Sequence, residues 1–336
     1  MWGDYTREAY YQTYDVTGIV EAGPNSLAIL LADGIYSGLL PESGRGVYSH
    51  RPMLMAQLHV QDEQGVESLI VTDHQWHWHT SWLLGSELNG GEDVDGRQQI
   101  AAWSEPGLDE LFWSTVDVVE DVQVEPIARM FPVDRVQQVL RPQNQPVHAH
   151  IDGRCILQYD FGEQIVGRCR VDLRSLHSEG IELDYSLDDT FTSVTKDTYT
   201  SRGGSTIAPA TGRTDERFET EFALHSFRFL RISYARASTE IGDVYALRIA
   251  LSDAANLEFR CEHRSVNQLF EVVQNSLRGV AQSVPWRNVS PANRKPDANY
   301  IGTWLNPFVQ LGDYSITKKW LHDIVNVLVS AEPYSS

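Results

Sequence analysis

Asp197-Thr-Tyr-Thr-Ser-Arg-Gly-Gly204, followed by Phe218 to Ser233 (FETEFALHSFRFLRIS), decides the fold. It reads as a strand, a glycine turn and a long alternating strand, with Phe222, Leu224, Phe227 and Phe229 among its apolar residues. A period of two bounded by turn residues is the pattern of a half-buried strand in a β-sandwich. Outward from this stretch, residues 122–260 supply further candidate strands at Ile156 to Phe161, Gly167 to Leu173, Ile181 to Tyr185 and Asp243 to Leu251. Residues 1–121 continue the pattern. Ser26 to Leu31 is an apolar run ended by Asp33-Gly34, and Met53 to Val60 with Val66 to Val71 flanks the turn Asp62-Glu-Gln-Gly65 as a hairpin.

The period changes after Cys261. Val266, Leu269, Phe270, Val273, Leu277 and Val280 recur at helical spacing, with Ser265 as the expected N-cap. A second helix is expected from about Tyr314 to Val329, capped by Asp313 and apolar along Ile316, Trp320, Leu321, Ile324 and Leu328.

At 336 residues, 42% hydrophobic and 10% aromatic, the chain is long enough for two or three folded domains. Its formal net charge is −19, and lysine occurs only at 196, 295, 318 and 319, so 23 of its 27 basic residues are arginine. An acidic surface without a basic run repels phosphate backbones, which argues against nucleic acid as a partner. No stretch is long and apolar enough for a membrane span, and residues 1–20 lack the basic start and apolar run of a secretory signal. That start places the chain in the cytoplasm if it is native, although a strand pattern under way by Tyr10 suggests a truncated amino end. Cys155, Cys169 and Cys261 match no zinc spacing. Cys155 and Cys169 fall on neighbouring candidate strands, so a bridge is open, with buried thiols the expectation.

Several stretches resemble the bacterial-type α-L-rhamnosidases, glycoside hydrolase family 78. Tyr11-Gln-Thr-Tyr-Asp-Val-Thr17 matches that family's Y-Q-T-Y-D-V-T, and Leu31-Ala-Asp-Gly-Ile-Tyr-Ser-Gly38 its L-G-D-G-W-Y-x-G with Ile35 in place of tryptophan. Asn89-Gly-Gly-Glu-Asp-Val-Asp95 is similar to N-G-E-x-Y-D, Tyr159 to Gly167 to D-F-G-Q-N-x-x-G, and the opening stretch to D-T-Y-T-L-R-G-G followed by F-T-Y-H-G-F-R-Y. The resemblance implies a mainly β chain. Two jelly-roll-like β-sandwich domains at 1–121 and 122–260 would be followed at 261–336 by the first helices of an (α/α)6 catalytic barrel, truncated here. It also implies a rhamnose-containing glycan or glycoside as partner, no cofactor, and removal of terminal α-L-rhamnose by an inverting mechanism, in which one carboxyl group protonates the leaving oxygen and a second activates water.

The family's acid-bearing segment reads like V-P-T-D-C-P-Q-R-D-E-R-L-G-W-T-G-D. Ser283-Val-Pro-Trp286 stands at its start here, and matching Gly302 to the glycine of T-G-D puts Arg294 on the motif arginine, Tyr300 on the tryptophan, Pro296 on the glutamate and Thr303 on the last aspartate. Asp297 is the only acid from Trp286 to Leu311, so the motif is not preserved. Asp297 is the candidate for a displaced acid, and Arg294, Tyr300, Trp304 and Trp286 are candidate sugar-binding residues. Three readings follow: a divergent or inactive member, hydrolysis through other residues, or a lyase on rhamnose-containing glycans in which Arg294 and Lys295 neutralise a uronate.

A rival class is a carbohydrate-binding or scaffold sandwich, with Trp76, Trp78, Trp82, Trp103 and Trp113 as stacking candidates. Exposed coplanar rings favour binding and buried rings favour scaffold. In Asp73-His-Gln-Trp-His-Trp-His79 the strand period puts His77 and His79 on one face, a spacing that zinc accepts but that solvated edge histidines explain more simply; His148 and His150 repeat it. No metal is expected.

Overall fold

A computed structural model describes residues 5–40, 44–87, 90–120, 122–175, 177–203, 216–235, 239–251 and 259–280, with 315–316, 318–322 and 325 near the carboxyl end. The chain is mainly β. Ten strands share one branched sheet: β1 (Leu83–Glu87), β2 (Gly91–Asp95), β3 (Asp134–Leu140), β4 (Val147–Ile151), β5 (Arg154–Ser175), β6 (Gly180–Ser186), β7 (Thr195–Thr200), β8 (Glu216–Glu219), β9 (His225–Tyr234) and β10 (Thr239–Leu251). Their order is β3-β10-β5-β9-β6-β7-β2-β1, with β4 and β8 also paired to β5. Hairpin β1–β2, which precedes residue 121, joins the rest through a parallel pairing of β2 with β7.

The organising element is β5, 22 residues long. Two candidate strands, Ile156 to Phe161 and Gly167 to Leu173, are one continuous strand in the structure. Its first part lies between β4 and β9, and its second part pairs with β10 and β8. The register breaks between Asp160 and Ile165, where the strand changes neighbours. Asp160 holds this bulge: it accepts from the Gly162 backbone N–H at 2.6 Å and from Arg228 through two bonds of 2.8 Å. The Arg228 guanidinium is the main reason that its carboxyl titrates below the usual carboxylate range. Cys155, Leu157, Tyr159, Phe161, Ile165, Cys169, Val171 and Leu173 alternate inward along β5 and meet Leu183, Phe227, Leu230, Ile232 and Ala246 in one core. Each buried side chain of this size contributes roughly 1.5–3 kcal/mol. Both Cys155 and Cys169 are buried free thiols, as expected. They sit on the same strand rather than on neighbours, so no bridge links them.

Gly167 lies where β5 is flanked by both β9 and β10, opposite His225 and Arg248. A Cβ there would overlap the Leu247 carbonyl oxygen, which is backbone and cannot swing aside. Gly167→Ala is therefore expected to cost about 1–3 kcal/mol, seen as a lower urea midpoint at unchanged m-value.

Two other readings change. Phe218 to Ser233 is not one strand but β8 and β9, broken by the turn at 220–224. Ser26 to Leu31 is irregular; Leu27, Ile29 and Leu31 are exposed while Leu30 packs on the core. The hairpin around Asp62 forms, as Gln57–Gln61 with Glu67–Val71, because the Asp62 carboxylate accepts from Gln64 N–H at 2.9 Å and Val66 N–H at 2.8 Å.

Helix α1 spans Arg264–Val280. It starts two residues earlier than the Ser265 cap required: the backbone N–H groups of Val266 and Asn267 bond His263 O, and the Asn267 side chain brackets the Cys261 backbone with two bonds of 2.9 Å. Residues 315–316, 318–322 and 325 are helical, in the expected second helix, with Ile316 and Trp320 buried and Leu321 exposed. Asp313 lies outside the described residues.

Candidate functional site

The polar side chains of three of the quoted motifs meet at one buried place. Glu92 comes from Asn89 to Asp95, Asp197 from the opening stretch and His225 from Phe218 to Ser233. Parallel pairing sets Asp93 opposite Thr198 and so brings Glu92 beside Asp197. Gly91, at φ +85°, permits this approach: a Cβ there would overlap the Lys196 carbonyl oxygen.

The Asp197 carboxylate accepts the Glu92 backbone N–H at 2.8 Å and faces His225 Nε2, which is 2.9 Å from both of its oxygens. A carboxylate only accepts, so Nε2 carries the proton. On the other side of the ring, Nδ1 is 2.7 Å from the Thr195 hydroxyl, and Tyr185 stacks on the ring face with centroids 3.9 Å apart and planes within 7°. The Glu92 carboxylate fills a nest of three successive backbone N–H groups, those of Glu221 at 2.9 Å, Phe222 at 2.5 Å and Ala223 at 2.7 Å. Those bonds break the predicted long strand, because groups that turn toward Glu92 cannot also serve a ladder. Burial pushes the Glu92 carboxyl upward, the nest partly offsets it, and the Asp197 charge adds to the rise. Burial likewise pushes the Tyr185 phenol and the Cys169 thiol up. Beside this cluster the Tyr199 hydroxyl donates to Glu216, which also accepts the Arg202 backbone N–H at 2.7 Å.

An aspartate, a histidine and a threonine in line imitate a hydrolytic triad. Asp197 is 0% and His225 2% exposed, however, so a glycan cannot reach them. The cluster ties β2, β7, β9 and the 220–224 turn together. No sequence motif for catalysis points to it; the signal was the three family-like stretches themselves, read separately.

The stacking candidates divide. Trp82 and Trp103 meet edge to face, centroids 5.6 Å apart, against the core. Trp76 and Trp113 are half-buried, the first donating its indole N–H to Val71 O at 3.0 Å. Trp78 alone of the five is exposed. The histidines spread apart: His77 Nδ1 pairs with Glu110 at 2.9 Å, and His79 lies against Trp113. Asp73 accepts the Gln75 N–H of its own turn. Among the described residues no group of three metal-ligating side chains converges. Trp286, Arg294, Asp297, Tyr300 and Trp304 lie outside the described residues.

Residues 1–148 match the family model of the α-L-rhamnosidase N-terminal domain. A curated α-L-rhamnosidase of Streptomyces avermitilis is 27% identical across 96% of this chain and 31% of its own length. One from Formosa agariphila is 24% identical across 84% of this chain and 31% of its own length. The chain thus spans about a third of the length of the curated relatives it matches. Among solved structures, Streptomyces avermitilis α-L-rhamnosidase complexed with L-rhamnose superposes with a TM-score of 0.69 at 24% identity, over 84% of this chain and 27% of that one. The enzyme from Dictyoglumus thermophilum gives 0.67 at 20%, over 84% and 31%; at these identities the likeness shows the fold. Motifs, family model and fold agree in what the chain is similar to: the bacterial-type α-L-rhamnosidases, whose N-terminal domain model its first 148 residues match.

Proposed function

We propose that this chain belongs to an α-L-rhamnosidase-like glycoside hydrolase that removes terminal α-L-rhamnose with inversion, and that its acid side is altered. The observation that carries the reading is the match of residues 1–148 to the N-terminal domain of such enzymes, extended by similarity to them across 96% of the chain. In this reading 1–121 and 122–260 are β domains, and 261–336 contributes the opening helices of an (α/α)6 barrel. An inverting glycosidase needs two carboxyl groups about 6.5–9.5 Å apart, with water between one of them and the sugar. Asp297 is the only acid from Trp286 to Leu311 and would be the displaced acid, with Trp286, Arg294, Tyr300 and Trp304 around the sugar. One carboxylate without an opposed partner leaves the water unactivated.

The purified 336-residue chain is therefore expected to release no nitrophenol from an aryl α-L-rhamnoside above the uncatalysed rate. Turnover that Asp297→Asn abolishes would overturn the inactive reading and leave the displaced-acid one standing. The scaffold reading draws on the burial of Trp82 and the packing of half-buried Trp103 against the core. Titration calorimetry against rhamnose-rich glycans decides it: no heat favours a scaffold, and heat lost in Trp78→Ala favours sugar binding.

A further inference from the structure

Strand Glu8–Tyr11 pairs in parallel with Glu125–Ala128, register Glu8 to Glu125 and Tyr11 to Ala128. A parallel ribbon of two strands is marginal by itself. Here it touches the helical residues near the carboxyl end, more than 180 residues beyond Glu125 in sequence. His322 Nε2 lies 2.9 Å from one oxygen of the Glu8 carboxylate and 3.0 Å from the other. Lys319 is 5% exposed, an unusual place for an ammonium. Its Nζ is 5.6 Å from the Tyr10 ring centroid and 6.0 Å from that of Phe131, two rings that meet edge to face at 5.9 Å. Arg129, at the end of the ribbon, lies over the same Phe131 ring at 4.3 Å and donates to the Phe131 carbonyl at 3.0 Å. Ile316 and Trp320 are buried one turn apart. Helix α1 behaves differently although it follows the sheet directly in sequence. Val266, Leu269, Val272 and Val273 on it are all exposed, Leu269 by 62%.

We propose that the ribbon Glu8–Tyr11 with Glu125–Ala128, together with Phe131, is the docking seat of the helix containing Ile316, Lys319, Trp320 and His322. Through Lys319 and His322 the amino-terminal strand holds that helix independently of α1. The aromatic pair takes the lysine stem and lies within cation–π reach of its charge. The Glu8–His322 pair then fixes the helix against sliding along the ribbon. Three segments distant in sequence become one cooperative unit, so the N-terminal block is a brace for the helical region rather than a detachable module.

Hydrogen exchange on the intact 336-residue chain tests this, because amide protection reports local opening. Amides 318–322 should exchange more slowly than those of 266–273. Glu8→Gln and Lys319→Met should each speed exchange at 318–322 by about tenfold or more, the scale of a lost charge-assisted contact, and leave 266–273 unchanged. Glu8→Gln combined with His322→Gln should open the helix no further than the faster single variant, since both remove one interaction. Unchanged exchange at 318–322 in these variants, equal acceleration of 266–273, or multiplicative effects in the double variant would overturn the proposal. If Glu8→Gln does not fold, His322→Gln breaks the same pair from its exposed side and decides by the same readout.

Discussion

Replacing Asp197 with alanine is expected to destabilise the chain by about 2–6 kcal/mol, the cost of leaving two buried donors without an acceptor. Two donors lose their acceptor at once, the His225 Nε2–H and the Glu92 backbone N–H, and neither can turn to water. Each buried unsatisfied group costs roughly 1–3 kcal/mol. Against a typical total of about 5–15 kcal/mol, the variant is left marginal. Asparagine is expected to do less harm, about 1–3 kcal/mol. Its carbonyl keeps the Glu92 bond, and the ring can exchange tautomers so that Nε2 accepts from the amide and Nδ1 donates to Thr195. Urea unfolding of the three proteins at equal m-value measures both steps. A loss below about 1 kcal/mol for alanine would mean that Asp197 is not what ties β7 to β2 and β9.

The strands of residues 154–251 illustrate how much of the fold was legible in the sequence. Alternation located the strands of residues 154–251 because each has one face in the core, and a period of two records that directly. The continuity of β5 was hidden by Asp160-Phe-Gly162, which reads as a strand end. Glycine at φ +80° serves a bulge as readily as a turn, and only the Arg228 clamp on Asp160 shows which it is. The break between β8 and β9 was hidden for the opposite reason. Phe222 and Leu224 keep the alternation through a turn that exists because Glu92, about 130 residues earlier in sequence, captures its N–H groups. A local pattern carries no record of so remote a partner. The candidate site suffered likewise: Glu92, Asp197 and His225 were each visible inside a family-like stretch, yet nothing in their spacing says that they touch. Arginine's dominance over lysine does acquire a local cause. Along the outer face of β5, Arg168 and Arg170 converge on Glu219, and Asp172 takes Arg217 from β8, contacts suited to a planar guanidinium between strands.

Glu92→Ala is the second substitution with a large expected effect, about 2–4 kcal/mol, since it vacates an acceptor for three backbone donors. Glutamine separates charge from shape. Its carbonyl oxygen can take the Phe222 and Ala223 bonds, but its amide then faces the Glu221 N–H, donor against donor. The pH dependence discriminates further. The folded-state pKa of Glu92 is raised from the ordinary 4.5, with burial the largest cause. A raised carboxyl binds its proton more tightly in the folded chain than in the unfolded one. Its contribution to stability therefore grows as pH falls through the folded pKa and is complete below the unfolded value. Glutamine has no such titration. The stability deficit of Glu92→Gln relative to the parent should accordingly widen as pH falls from neutrality toward 4.5, even while both proteins lose stability to the protonation of other carboxylates. A deficit that narrows over this range would mean that the nest prevails over burial, so that the ionised carboxylate is what the 220–224 turn is built to hold.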